Sequence, residues 1–443
     1  MTPVRLLAAA VALATLATVP TPVAAAGSAP VAPTSGAFSV LTYNVAGLPE
    51  PLSGGDPATN TRPIGERLGG YDVVHVQEDF NYHADLYAAD RHPYRTPTSG
   101  GVPFGDGLNT LSHLAYRDFA RVRWNRCNGT DCLTPKGFTY SRIRLAEGVL
   151  VDFYNVHTNA GSTEADLAAR RANLAQLSAY IGTHSAGTAV VVMGDLNVRY
   201  TRTGDTIREL VAAHGLTDAW VRQERGGDPP AAGDPALVCD PANVTDACEV
   251  VDKILYRGSR LVRLDLVRYH NAHARFLTPA GGPLSDHYPH AAWFDWTLDA
   301  GLRAGDPWGG PHGTPFTDVE LVGAPVTRVS LRAGSRLDQI GVDLADGAAP
   351  RHGGTGGTAA ALDLADGEHV TRVTLTQGQK DGRTRIFSAR FTTNRGRTLA
   401  GGTPTSAAVT FTAPPGGRLA GFHGRSGSEV DQLGVIWSVG ASG

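Results

Sequence analysis

Ala189-Val-Val-Val-Met-Gly-Asp-Leu-Asn197 passes from five apolar residues straight into a glycine, a carboxylate and an amide. A short apolar run closed by a turn signal reads as a buried strand that delivers its polar residues at its end. Upstream, Glu164–Ile181 carries Leu167, Leu174, Leu177 and Ile181 at helical spacing, with Ser162 or Thr163 as the cap. Before that helix, Val149–Val156 reads as another strand, and Phe38–Asn44, Val73–Gln77, Lys253–Tyr256 and His290–Trp296 read the same way. Strands mixed with helices predict an α/β domain over residues 37–300, its buried sheets flanked by helices.

The pattern of the opening stretch recurs. Leu41-Thr-Tyr-Asn44, Val76-Gln-Glu78, Tyr154-Asn-Val-His157, Val251-Asp-Lys253 and Leu284-Ser-Asp-His287 each place polar side chains next to an apolar run. Open α/β sheets put their sites at such strand ends. Glu78, Asp195, Asp252 and Asp286, with Asn44 and Asn197, form an oxygen-rich set accompanied by two imidazoles, His157 and His287. Oxygen donors of this kind select a hard cation, Mg²⁺ foremost, with Mn²⁺ or Ca²⁺ as alternatives. Phosphoester hydrolysis needs such an ion to offset developing charge, and a base for water, a role that suits His beside Asp. Each signal alone is as well explained by a turn or a solvated surface acid; their joint occurrence points to chemistry.

The bulk numbers set the frame. The chain has 443 residues, 42% of them hydrophobic and 18% charged, which supports two or three globular units. A net charge of -3 without a Lys/Arg stripe does not advertise nucleic acid or an anionic membrane. Arg5, the apolar Leu6–Val19 run and Ala24-Ala-Ala26 predict a secretory signal over residues 1–26, followed by a linker at 27–36 and a secreted, extracellular protein. No later segment reaches about 18 uninterrupted apolar residues, so no transmembrane span is expected. Export permits disulfides, and Cys127, Cys132, Cys239 and Cys248 allow three connectivities, the local pairs 127–132 and 239–248 being favoured.

Around residues 301–306 the texture changes, and beyond Pro307 helical periodicity gives way to Gly-rich turns and strands. Gly334-Ser-Arg-Leu-Asp-Gln-Ile-Gly-Val342 recurs as Gly427-Ser-Glu-Val-Asp-Gln-Leu-Gly-Val435, identical at six of nine positions. Such a repeat predicts pseudo-symmetric β units around one core.

Together, TYN at 42–44, VQE at 76–78, NVH at 155–157, GDLN at 194–197, VDKI at 251–254 and SDHYP at 285–289 resemble the endonuclease/exonuclease/phosphatase superfamily. The resemblance implies a four-layer sandwich, two packed β-sheets covered by helices. It also implies roles: Glu78, Asn44 and Asp286 at the metal; His287 as general base oriented by Asp252; Asp195 and Asn197 on the phosphate or attacking water; His157 donating to the phosphoryl group. The acidic partner of His157 stays open, with Asp106 and Asp118 in the right region. TYN continued by Val45-Ala-Gly-Leu-Pro49, together with Gln77-Glu-Asp-Phe80, is most similar to the secreted sphingomyelinase-like branch, which favours a phospholipid headgroup as substrate. An extracellular nuclease is the alternative, with Arg91, Arg95, Arg199 and Arg202 as a phosphate-binding rim, and a fold that no longer turns over is a third reading.

Within a domain expected at 307–443, residues 307–437 resemble jacalin-like lectins through Trp308-Gly-Gly310, His352-Gly-Gly-Thr-Gly-Gly357, Phe391-Thr-Thr-Asn394 and Gly421-Phe-His-Gly-Arg-Ser-Gly427. That resemblance implies an all-β prism with a third, decayed repeat within residues 382–394. It also implies a pocket for mannose-type glycans at Gly309, Gly310, Gly427, Ser428, Glu429 and Asp431. Asp431 would accept sugar hydroxyls, and Ser428 stands where some members carry an aromatic. The copy Gly334–Asp338 is read as a structural turn in preference to a second pocket. A monomer is expected.

Overall fold

The computed structural model describes residues 33–440. The signal expected at 1–26 and most of the 27–36 lead-in lie outside them, as do residues 441–443. In chain order the first part contains β1 (Ser35–Asn44), α1 (Pro57–Leu68), β2 (Val73–Gln77), α2 (His83–Ala89), β3 (Tyr94–Arg95), β4 (Asn109–Ser112) and β5 (Tyr116–Arg123). There follow β6 (Gly137–Ala146), β7 (Val149–His157), α3 (Glu164–His184), β8 (Ala189–Asp195), α4 (Ile207–His214) and β9 (Thr217–Asp218). The part closes with α5 (Ala219–Glu224), β10 (Asp252–Arg257), β11 (Val262–Asn271) and β12 (His290–Leu298).

These strands form two six-stranded sheets, ordered β11-β12-β1-β2-β4-β3 and β5-β6-β7-β8-β10-β9. Alternation along each strand sorts the apolar residues. Phe38, Val40 and Val73 of the first sheet share a core with Phe153, Val191 and Ile254 of the second, while Leu41, Tyr43, Val74 and Val76 pack with Ile64, Leu68 and Leu86 of α1 and α2. On the second sheet α3 buries Leu174, Leu177 and Ile181, and its Thr163 closes a capping box with Asp166. A polar clasp ties the sheets near one end: Gln77 Nε2 donates to Asn155 Oδ1 (2.8 Å), and Asn155 Nδ2 to the carbonyls of Val76 and Asn109 (both 3.0 Å).

The C-terminal part begins earlier than the change in sequence texture at Pro307. Residues 302–304 are already a strand, β13 (Leu302–Ala304), paired with the last strand of the chain. It is followed by β14 (Trp308–Gly309), β15 (Thr314–Thr317), β16 (Val326–Ala333), β17 (Leu337–Leu344), β18 (Arg351–Gly353), β19 (Thr358–Asp363) and β20 (Val370–Lys380). The last are β21 (Arg383–Thr393), β22 (Thr398–Gly402), β23 (Ala407–Thr412), β24 (Gly417–Ser426) and β25 (Val430–Val439). Three sheets result, ordered β13-β25-β24-β15 (with β14 also on β25), β18-β17-β16-β19 and β22-β21-β20-β23. All three feed one core, including Val329, Leu337, Val373, Phe391, Phe422 and Val435. The sequence repeat opens β17 and β25, and β21 holds the same place in the third sheet.

The two parts are clasped. Asp306 accepts from Arg144 Nε (2.5 Å) and the Gly148 N–H (2.8 Å), and Arg117 donates to the Pro307 carbonyl (2.7 Å). No helix among the described residues is long and apolar enough to cross a membrane.

Candidate active site

Register decides which residues meet. β1 runs parallel to β2 with Asn44 beside Gln77, and β7 runs parallel to β8 with His157 beside Asp195. β10 is antiparallel to β8 with Asp252 opposite Asp195, and β12 is antiparallel to β1 with His290 opposite Thr42. The segment 284–289, which leads into β12, therefore arrives where β1 ends. At Gly194 any Cβ would come within 2.0 Å of the Val156 carbonyl oxygen, so the glycine of GDLN is what lets β7 and β8 approach here. Glu78 and Asn197, just beyond β2 and β8, hold left-handed backbone (φ 56° and 52°), a costly state for non-glycine residues that tends to persist at functional sites.

Asp195 is the hub. It is 1% exposed; Oδ1 accepts the Asn197 N–H (3.0 Å), and Oδ2 accepts from Asn44 Nδ2 (3.2 Å) and lies 3.3 Å from His157 Nε2 and 3.8 Å from His287 Nε2. Burial pushes its pKa up, but His287 and His157 outweigh burial and hold it well below the usual carboxylate range. Asp252 holds His287 by a 3.0 Å hydrogen bond to Nδ1, which leaves Nε2 facing the site. Burial raises the Asp252 pKa despite that imidazole, whereas for His287 Asp252 and Asp195 overcome burial and push the pKa well up. His157 Nε2 also lies 3.9 Å from Glu78 Oε1.

Seven of the eight residues singled out by the sequence join this network of contacts. Asp286 is the eighth; it sits beside His287, against Gly54, next to Ser285, whose hydroxyl donates to the Asn44 carbonyl (2.7 Å). Asn44 links the acids of the site. Its side-chain oxygen accepts the Ala46 N–H (3.0 Å) and its nitrogen donates to Glu78 (3.0 Å) and Asp195, so it bridges two carboxylates and presents no spare N–H. Neither candidate partner reaches His157: Asp106 is taken by Ser99, Leu108 and Arg121, and Asp118 lies at the seam with the C-terminal part. His157 Nδ1 is buried with no hydrogen-bond partner among the described residues.

A hard divalent cation fits this donor set. Three carboxylates, Glu78, Asp195 and Asp252, converge with two imidazoles, Glu78 accepts at Oε1, and Asp252 Oδ1 is buried without a partner among the described residues. Soft thiolate ligation is ruled out, since Cys127–Cys132 and Cys239–Cys248 are both disulfides. Among the described residues, Asp195, Asp252 and His287 bring donor atoms within 4.8 Å of one another, whereas the metal ligands expected were Glu78, Asn44 and Asp286.

In the C-terminal part the expected pocket residues do come together, since the Gly310 N–H donates to the Asp431 carbonyl (2.9 Å). The Asp431 carboxylate, however, is 1% exposed and ion-paired with Arg385, and Glu429 is held by Arg336 (2.8 Å). Arg385 lies in β21, in the decayed repeat, and no motif pointed to it. In the other copy Asp338 Oδ2 accepts the Gly334 N–H (3.0 Å) and closes its own turn.

Comparison with known proteins agrees with both halves. The model of endonuclease/exonuclease/phosphatase family 2 matches residues 61–222, and the jacalin-like lectin domain matches residues 305–436. A curated sphingomyelinase of Mycobacterium bovis is 42% identical over 283 residues, covering 62% of this chain and 56% of the relative. The chain thus spans about half the length of that relative. Horcolin of Hordeum vulgare is 29% identical over 134 residues, 29% of this chain and 91% of its own. Among solved structures, sphingomyelinase C from Streptomyces griseocarneus is 21% identical, covers 58% of this chain and 99% of that one, and superposes with a TM-score of 0.41. Residues 61–222 are thus similar to endonuclease/exonuclease/phosphatase family 2, and residues 305–436 to jacalin-like lectin domains.

Proposed function

We propose that this protein is a secreted, divalent-metal-dependent phosphodiesterase that removes the headgroup of sphingomyelin, directed to glycosylated surfaces by its lectin domain. In this reading the paired sheets with their outer helices are a four-layer sandwich, and the three C-terminal sheets are a β-prism.

The observation that carries the lipid reading is the rim of the site. Leu52 is 70% exposed, Phe104 79%, Leu133 68% and Val238 70%, four of the seven large apolar side chains most open to water. Each stands on a different loop: after β1, before β4, before β6 and before β10. Antiparallel pairing of β4 with β2, β6 with β7 and β10 with β8 puts all four loops at the end that bears the site. Apolar tips around a polar centre suit an enzyme that works at a lipid surface. The nuclease reading needs a free cationic rim. Of the four arginines, Arg95 is spent on Asp90 (2.9 Å), Arg202 on the Asn197 carbonyl (2.9 Å) and Arg199 on the Glu249 carbonyl, while Arg91 is exposed. The relative named as a sphingomyelinase supports the same choice.

Glu78 with Asp286 and Asn44 would hold the cation, Mg²⁺ by the chemistry of the donors, with Asn44 fixing the Glu78 carboxylate. Once bound, that ion offsets negative charge on the phosphoryl oxygens and on the acids that raise the His287 pKa. His287 then takes a proton from water at Nε2, oriented by Asp252 at Nδ1. Asp195 and Asn197 position the water and phosphate, and His157 donates at Nε2 to a phosphoryl oxygen.

Purified protein with Mg²⁺, given sphingomyelin liposomes and plasmid DNA in parallel, should release phosphocholine and spare the plasmid. EDTA should abolish release, and His287→Ala should lower it by about 10³-fold or more. Plasmid cleavage without phosphocholine release would overturn the proposal.

A further inference from the structure

We propose that Asp118, in the N-terminal part, is a positioning residue for the sugar pocket of the C-terminal part. It would hold the loop 309–313 against Asp431 from across the seam, a role that rests on the proposed binding of glycans at Gly309, Gly310 and Asp431. Asp118 stands in β5 where the pairing with β6 slips between Arg117 and Ala120, and it takes φ 58°. A bulge re-aims a side chain, and left-handed backbone is a cost that a non-glycine residue carries only where its surroundings hold it there.

The re-aimed carboxylate is buried among three side chains. Its Oδ2 lies 4.0 Å from Arg142 and 3.8 Å from Arg425, and its Oδ1 accepts from Gln432 Nε2 at 3.4 Å. Arg142 belongs to the same part as Asp118 and is already matched by Asp152, through hydrogen bonds of 2.7 and 3.0 Å. Arg425 belongs to the other part, and among the described residues Asp118 is the one acid within 4.0 Å of it. A guanidinium withdrawn from water needs a counter-charge, and at this separation in a dry seam the attraction is strong. The C-terminal part therefore takes the counter-charge of Arg425 from its neighbour.

Arg425 spends the rest of its fork on the pocket loop. Nε donates to the His312 carbonyl (3.1 Å) and Nη2 to the Gly313 carbonyl (2.9 Å). Gly313 in turn lies on the pocket acid, since a Cβ there would come 2.5 Å from Asp431 Oδ2. Gln432, the other contact of Asp118, follows Asp431 directly; it faces Arg425 in the β24–β25 pairing and Gly309 in the β14–β25 pairing. One carboxylate thus steadies both walls of the pocket, the loop through Arg425 and the strand through Gln432.

Hydrogen exchange of the full chain, followed by mass spectrometry, reads the loop whether or not a sugar binds. Asp118→Asn keeps an acceptor for Gln432 and suits left-handed backbone, but removes the charge that faces Arg425. Exchange across residues 309–313 should rise about 10-fold or more in Asp118→Asn, while the repeat turn at 334–338 keeps its wild-type rate. Arg425→Gln tests the same link from the other side of the seam, and should open the loop likewise even if Asp118→Asn fails to fold. The double variant should exchange no faster than Arg425→Gln alone, because Asp118 acts through that arginine. Wild-type exchange in either single variant, or additive effects in the double one, would overturn the assignment. Calorimetric titration with mannotriose separates the loop from its ligand: wild type should bind, and Asp118→Asn should bind about 5-fold more weakly or worse. Should wild type bind no mannotriose while exchange responds as described, the glycan reading falls and the hold of Asp118 on the loop stands.

Discussion

Three histidines play no part in the proposed chemistry, and their burial sets the acid limit of the protein. His75 and His290 are held neutral with pKa values pushed down to about 3, and His423 to about 4, in each case first by burial. In the unfolded chain they would titrate near the ordinary value of about 6.5. Groups whose folded pKa is depressed contribute stability that is full above the unfolded value and is lost as pH falls toward the folded one. Each ring therefore removes up to about 1.4 kcal/mol per pH unit between roughly pH 6 and 4, and three together about 4 kcal/mol per unit. Urea unfolding at pH 7, 5.5 and 4.5 should show that steep loss, and a flat profile would contradict three neutral buried rings. Single residues were legible where chemistry set the residue type, as at Asp195, Asp252 and His287. They were illegible where a neighbour distant in sequence decided the outcome. Arg385 closing on Asp431 is set by how β21 packs beside β25, which a motif spanning 427–431 cannot reveal.

Elements with a strong pattern emerged from the sequence almost whole. Val73–Gln77 coincides with β2, and Glu164–Ile181 lies within α3. Elements whose local chemistry opposes their structure did not. α1, PATNTRPIGERL, carries Pro63 and a glycine inside a helix, poor formers that tertiary packing of Ile64 and Leu68 overrides. The rim loops have no periodicity to read, yet two of them carry the disulfides: Cys127–Cys132 precedes Leu133, and Cys239–Cys248 follows Val238. Ordering a loop in advance lowers the entropy lost when its tip enters a lipid surface. Burying one such side chain is worth about 1.5–3 kcal/mol. Phe104→Ser combined with Leu133→Ser should therefore reduce binding to sphingomyelin vesicles at least 10-fold in co-sedimentation. Hydrolysis of a water-soluble phosphocholine ester should stay near wild type, and unchanged vesicle binding would refute the rim as the lipid contact.

At the scale of the whole molecule, two folds share a seam where Leu261 packs against Leu302, Val319 and Ile436 beside the polar clasp, and β13 pairs with the last strand although it precedes the boundary seen in composition. Residues 301–306, where the texture of the sequence changes, hold Asp306, whose carboxylate is committed to the clasp. The proposed hydrolysis depends on convergence: segments from residue 44 to residue 287 would have to surround one hard cation at a common sheet edge. Mn²⁺ binding to the full chain, followed by the loss of the free-ion EPR signal, reads that convergence directly. Wild type should hold at least one Mn²⁺ per chain, Glu78→Gln should weaken it by about 100-fold or more, and His287→Ala should retain it. Undiminished Mn²⁺ binding in Glu78→Gln would contradict the placement of the metal at this rim.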